Sequence, residues 1–159
     1  RAGVALTVSL LREMKKNTRV IGVKNSSMPV QDIQMFRDEG VIVFNGPDEQ
    51  FVSGLAAGAV GGIGGTYAAM PELFIKAREL FYEGKIEDAR TVQNDICRII
   101  YKMCSTHGNM YAVIKEIIRI QGGPDVGSVR APLAELAESD KGIVQECADM
   151  IADAVKKYC

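Results

Sequence analysis

Between residues 7 and 67, segments of helical periodicity alternate with short apolar runs, and that order leaves the chain few architectures. A first helix is predicted over 7–16, with Thr7 as N-cap and Leu10, Leu11 and Met14 along one side. A strand follows over 19–24. Apart from Gly22, Val20 to Val23 is hydrophobic and β-branched, the pattern of a strand buried on both faces in a parallel sheet. A second helix is predicted over 29–39, with Ser27 as a candidate cap before Met28-Pro29, Val30, Ile33 and Phe36 at helical spacing, and Gly40 as its stop. A second strand over 41–44, a short helix over 50–57 and a third strand over 61–65, with Thr66 and Tyr67 after it, complete the series. Short links in the order helix, strand, helix, strand, helix, strand imply right-handed parallel crossovers.

From Pro71 onward the pattern is all helical. Helices are predicted from 71 to Gly84, over 86–104 and over 110–120, the last stopped by Gly122-Gly-Pro124. An irregular link over 125–131 leads to a turn at Pro132, and Ser139 is the expected cap of a final helix carrying Ile143, Val144, Cys147, Ile151 and Val155. A sheet of three parallel strands has two unpaired edges, and a (β/α)₈ barrel needs about 250 residues. The chain therefore reads as α/β, the C-terminal part of a (β/α)₈ TIM barrel (its last three strands) over 1–70. Over 71–159 come the final barrel helix and a helical C-terminal segment.

Composition removes several function classes. A formal net charge of −1 offers no basic field for nucleic acid, and no apolar run is long enough to span a bilayer. Cys97 and Cys104, seven apart on one predicted helix, stand roughly 10 Å from each other along its axis, too far for a disulfide or a shared metal. The four widely spaced cysteines read as reduced thiols of a cytoplasmic protein, and one histidine, His107, cannot build a histidine-based metal site. The opening Arg1-Ala-Gly, without methionine, suggests a piece of something longer.

The chemistry-bearing residues fall where the predicted strands end. The first strand delivers Lys24, then Asn25-Ser26-Ser27; the second ends in Asn45-Gly-Pro-Asp48-Glu49; the third ends in Gly64-Gly-Thr66. A lysine at a strand end can simply point to water. At the edge of a dry pocket an amine instead loses solvation, and that makes it a nucleophile toward carbonyl compounds. Asp48 and Glu49 can complement the dipole of the helix they precede, or face a ligand. The glycine-rich run over 54–65 is no nucleotide site: it has no Gly-Lys-Ser or Gly-Lys-Thr, and Gly62-Ile-Gly64-Gly-Thr-Tyr67 lacks the third glycine of the dinucleotide fingerprint.

These segments resemble the N-acetylneuraminate lyase and dihydrodipicolinate synthase family of class I aldolases. The resemblance runs through Arg1-Ala-Gly-Val4, Val20-Ile-Gly-Val-Lys24-Asn-Ser-Ser27, Phe44-Asn-Gly-Pro-Asp-Glu49, Ser53-Gly-Leu-Ala-Ala-Gly58, Gly61-Gly-Ile-Gly-Gly-Thr-Tyr67 and Arg130-Ala-Pro-Leu133. It implies a catalytic Schiff-base lysine at Lys24, acting on a 2-oxo acid or sugar acid without cofactor or metal. Ser26 falls where the lyases often carry a ligand-contacting threonine, and Gly46, Asp48 and Glu49 match the loop that holds the polyhydroxylated tail of sialic acid. Gly65 stands where the lyases carry a serine. Asp48-Glu49 after Asn45-Gly46 favours the lyase over the synthase, which commonly has two aspartates there. The resemblance further implies a homotetramer of the full-length protein. It also implies that the N-terminal barrel strands missing from this chain supply a proton-relaying tyrosine and the loop for the substrate carboxylate. The chain alone is accordingly expected to have at most residual activity, and a non-catalytic half-barrel or helical assembly piece is the competing reading.

Overall fold

The computed structural model describes residues 4–159; Arg1, Ala2 and Gly3, which begin one of the matching segments, lie outside the described residues. The chain divides into two compact units, Arg1–Ile63 and Gly64–Cys159.

In the first unit α1 (Val8–Met14) starts as its sequence dictates, with Thr7 Oγ1 accepting the Leu10 amide at 3.1 Å. β1 (Gly22–Asn25) begins three residues later than expected. The cause is a turn, in which the Val20 amide donates to Asn17 O at 2.9 Å and the Arg19 amide to Asn17 Oδ1 at 3.0 Å. α2 (Gln31–Asp38) is not capped by Ser27, a correction to the sequence reading. The Ser27 hydroxyl is engaged elsewhere, 2.6 Å from Asp32 Oδ2 and 2.8 Å from Asn25 Oδ1, and the helix opens instead with the Asp32 amide donating to Pro29 O. β2 (Ile42–Asn45) is followed by a single 3₁₀ turn, Asp48–Gln50, then α3 (Phe51–Ala56) and the two-residue β3 (Gly61–Gly62).

The three strands are parallel in the order β1-β2-β3. In-register partners share a face. Val23 and Val43 face the covered side, where Leu11, Ile33, Phe36, Val41, Val43 and Ala59 form the core. Gly22, Lys24, Ile42 and Phe44 occupy the other side, where Ile42 is 40% exposed. Ile21, just before β1, is 68% exposed. The expectation of a strand buried on both faces therefore fails among the described residues: helices cover one side of this sheet and leave the Lys24 side open.

The second unit holds α4 (Pro71–Tyr82), α5 (Ile86–Met103), α6 (Met110–Ile120) and α7 (Lys141–Tyr158). α5 packs on α4 and α7, and α6 on α7, around Ile96, Ile99, Met103, Val113, Ile117, Cys147 and Ile151. Thr66 and Tyr67, expected at the end of the third strand, lie in a 3₁₀ turn instead, Thr66–Ala68. Nor does Ser139 cap the last helix. A 3₁₀ turn, Glu138–Asp140, precedes it, and the buried Asp140 carboxylate binds the amides of His107 at 2.9 Å, Gly108 at 3.0 Å and Ala137 at 2.9 Å. Those hydrogen bonds, from the His107 amide first, hold its carboxyl well below the usual carboxylate range. Among the described residues no disulfide forms, and no helix is long and apolar enough to cross a membrane.

Candidate active site

Lys24 is the third residue of β1 and is paired in register with Phe44 of β2 on the open face. The strand is close to its neighbour there because position 22 has no side chain: a Cβ on Gly22 would stand 2.6 Å from Ile42 O. Lys24 is exposed, and among the described residues its amine forms neither an ion pair nor a hydrogen bond. The dry pocket that would desolvate the amine is therefore not built by these residues. What they build is an open face on which Lys24 stands beside Phe44, with Gly22 and Ile42 before it.

At the rim beside it the first two strand ends meet. A Cβ on Gly46 would lie 2.4 Å from Asn25 O and 2.7 Å from Ser26 Oγ, so only glycine lets the second loop lie against the first. Ser26 is exposed on this contact. Pro47 then leads into the 3₁₀ turn, where Asp48 is buried and Glu49 half-buried, so the adjacent carboxylates differ in environment. Lys24, Ser26, Gly46, Asp48 and Glu49 thus lie at the C-terminal ends of neighbouring strands of one unit.

Gly65 belongs to the other unit, at the start of the Thr66–Ala68 turn. A Cβ there would stand 2.6 Å from Tyr111 Cε1, so the ring of Tyr111 fills the space a side chain at 65 would take. A concavity of about 640 Å³ in that unit, bordered by Pro71, Glu72, Ile118, Gln121, Ile151 and Lys156, holds none of the candidate site residues.

The sequence reading did not count Asn25 and Asn45 among the site residues. Both sit at the last register position of their strands, on the covered face, at 4% and 0% exposure. The signal was an asparagine closing each of two apolar runs, where a strand buried among helices has no use for an amide unless it holds something.

The model of the dihydrodipicolinate synthetase family matches residues 1–151. The chain belongs to that family. Among its curated relatives, the N-acetylneuraminate lyase of Mediterraneibacter gnavus is 59% identical over 160 residues, covering 99% of this chain and 51% of the relative. The N-acetylneuraminate lyase of Rhizobium meliloti is 32% identical, covering 88% of this chain and 46% of the relative. A solved structure of a catalytic-lysine mutant of the Ruminococcus gnavus sialic acid aldolase superposes with a TM-score of 0.96 at 58% identity, covering 99% of this chain and 53% of that one. The chain spans about half the length of the relatives it matches. Its three parallel strands and helical C-terminal segment correspond to that half of the family's TIM barrel.

Proposed function

We propose that the protein carrying this family chain is a class I aldolase that cleaves N-acetylneuraminate into pyruvate and N-acetylmannosamine, with Lys24 as its nucleophile. The observation that carries this reading is the placement of Lys24: exposed on the open sheet face, two residues before Ser26 at the rim where Ser26 meets Gly46. The high identity to lyases, one of them studied as a catalytic-lysine mutant, supports it.

The Lys24 amine adds to the C2 ketone of the open-chain sugar acid, and loss of water gives an imine. Protonated, the imine nitrogen accepts the electron pair of the C3–C4 bond as it breaks. The C4 hydroxyl gives its proton to a base and becomes the aldehyde of N-acetylmannosamine. The remaining enamine takes a proton at C3, and water releases pyruvate and the amine. The imine is its own electron sink, so the reaction calls for no cofactor or metal.

In this reading Ser26 contacts the pyruvate part, while Gly46, Asp48 and Glu49 hold the hydroxylated tail. An ionised carboxylate accepts hydrogen bonds from sugar hydroxyls and donates none, which suits Asp48 and Glu49 to a polyol. The working enzyme is a cytoplasmic homotetramer on this view. A 4-hydroxy-tetrahydrodipicolinate synthase would form the same imine from pyruvate, so imine formation alone does not separate the two.

The test uses borohydride reduction with pyruvate followed by intact-mass spectrometry, then incubation with N-acetylneuraminate. A Lys24-dependent adduct together with release of N-acetylmannosamine is expected. An adduct without cleavage would move the assignment to another pyruvate chemistry, and absence of both in the folded full-length protein would overturn the aldolase reading. The same assays on the 159 residues by themselves measure how much activity they carry.

A further inference from the structure

Two buried amides sit under the rim of the site. Asn25 and Asn45 are in-register neighbours on the covered face, each at the last position of its strand. The Asn45 side chain donates from Nδ2 to Pro47 O at 2.7 Å. A carbonyl only accepts, so this bond fixes which end of the amide is which. The amide is also wedged from the far side: a Cβ on Gly54 of α3 would stand 2.4 Å from Asn45 Oδ1. Asn25 makes the matching tie in the first loop, its Oδ1 accepting from the Ser27 hydroxyl at 2.8 Å. That hydroxyl has one proton for two acceptors, since Asp32 Oδ2 lies 2.6 Å away.

Each of these two side chains keeps one buried amide atom without a hydrogen-bond partner among the described residues, Asn25 Nδ2 and Asn45 Oδ1. One is a donor and the other an acceptor, on paired residues of one face. A buried polar atom without a partner costs about 1–3 kcal/mol, so packing alone would favour apolar residues at both positions. Leucine would fill the covered face as Val43 does one pleat earlier. Loop geometry gives the reason for amides. The Asn45 tie holds the turn that carries Gly46, Asp48 and Glu49, and Gly46 in turn rests on Asn25 O and Ser26.

Building on the lyase reading, we propose that Asn45 is a positioning residue that sets the grip of the 46–49 turn on the sugar part of the substrate, while leaving imine formation at Lys24 to the first strand. Asn25 is its companion on the Ser26 side. Asn45 itself faces away from the open side, so it acts through the turn and touches no substrate.

The decisive variant is Asn45→Asp in the full-length protein carrying this chain. It keeps the shape and puts an oxygen where the amide nitrogen donated to Pro47 O. Asn45→Ser, neutral and too short to reach, is the second variant should a buried carboxylate prevent folding. The expected result is a KM for N-acetylneuraminate raised about tenfold, as loss of one hydrogen bond of ~1.4 kcal/mol gives, with kcat changed much less. Pyruvate capture at Lys24, read by borohydride trapping, is retained, and amide hydrogen exchange quickens over 46–50 but not over 22–25. Unchanged KM and exchange would overturn the proposal. So would a loss of pyruvate capture parallel to the loss of cleavage, which marks a general structural role. If the unsubstituted protein neither captures pyruvate nor cleaves the sugar acid, the lyase reading fails instead. The hydrogen-exchange comparison then decides the anchoring by itself.

Discussion

The two units bury their apolar residues in different ways. The helical unit is closed on itself, with Ile96, Ile99, Met103, Val113, Ile117 and Cys147 all at 0–1% exposure. The sheet unit is closed on one side only: Val43 is fully buried while its strand neighbour Ile42 is 40% exposed. A lysine presented for chemistry must stand on a surface that a substrate can reach, and the sheet supplies that surface on the face its helices leave uncovered. Buried apolar packing is concentrated where the layers are complete, and the lysine proposed as nucleophile stands where they are not.

Removing Lys24 gives the largest expected effect on function and the smallest on structure. Lys24→Ala should abolish pyruvate capture and reduce cleavage on the order of 10⁴-fold or more, as loss of a covalent nucleophile does. Because the side chain is exposed, the thermal midpoint of the same variant should stay within measurement error. A large drop in stability would show Lys24 to be part of the packing, and the contrast between the units would collapse.

Core truncations test the contrast directly. Ile99→Ala in α5 should cost about 2–5 kcal/mol in denaturant unfolding, the usual result of a cavity that cannot collapse. Ile42→Thr on the open sheet face should change stability of this chain by no more than about 0.5 kcal/mol. Equal costs would mean that the open face is buried in solution. Size-exclusion chromatography would then identify what covers it.

The helical unit should carry a pH response of its own. The folded Asp140 carboxyl is held below its ordinary value, chiefly by the His107 amide, so its contribution is complete above the unfolded pKa of about 3.9 and fades as pH falls below that. Thermal melts between pH 5 and 2 should show this loss, and Asp140→Asn should flatten the curve in that window while lowering stability at neutral pH. The affected contacts tie residues 107–108 to the turn before α7. Hydrogen exchange at Gly108 and Ala137 should therefore lead the change.

Much of this was legible in the sequence because periodicity is a local property. The Thr7 cap, the helices α5 and α6 and the strand that carries Lys24 all follow from residue type and spacing. What periodicity could not supply was the assignment of polar groups that bond across the chain. Ser27 and Ser139 both look like caps, yet Ser27 is drawn to Asn25 and Asp32, and at the last helix a buried aspartate one residue later takes amides from more than 30 positions away. The uncovered sheet face was equally illegible. A β-branched run reads the same whether one side is covered or two, and only the layer above it decides.

Gly65 offers the finest test, because it asks whether the helical unit is as tightly closed at its margin as at its centre. A Cβ at 65 would come within 2.6 Å of Tyr111 Cε1 and 3.3 Å of Ile114 Cδ1. Tyr111 is 49% exposed, so its ring can swing outward, whereas Ile114 is buried. Gly65→Ser, which installs the residue that the lyase resemblance places here, should therefore cost only about 1 kcal/mol, the low end for overpacking. In Gly65→Ser/Tyr111→Ala the ring is gone and the two effects should be non-additive, with a coupling of at least about 0.5 kcal/mol by double-mutant cycle. Additive effects would mean that the ring already leaves the space at 65 in solution, making this edge of the helical unit as open as the sheet.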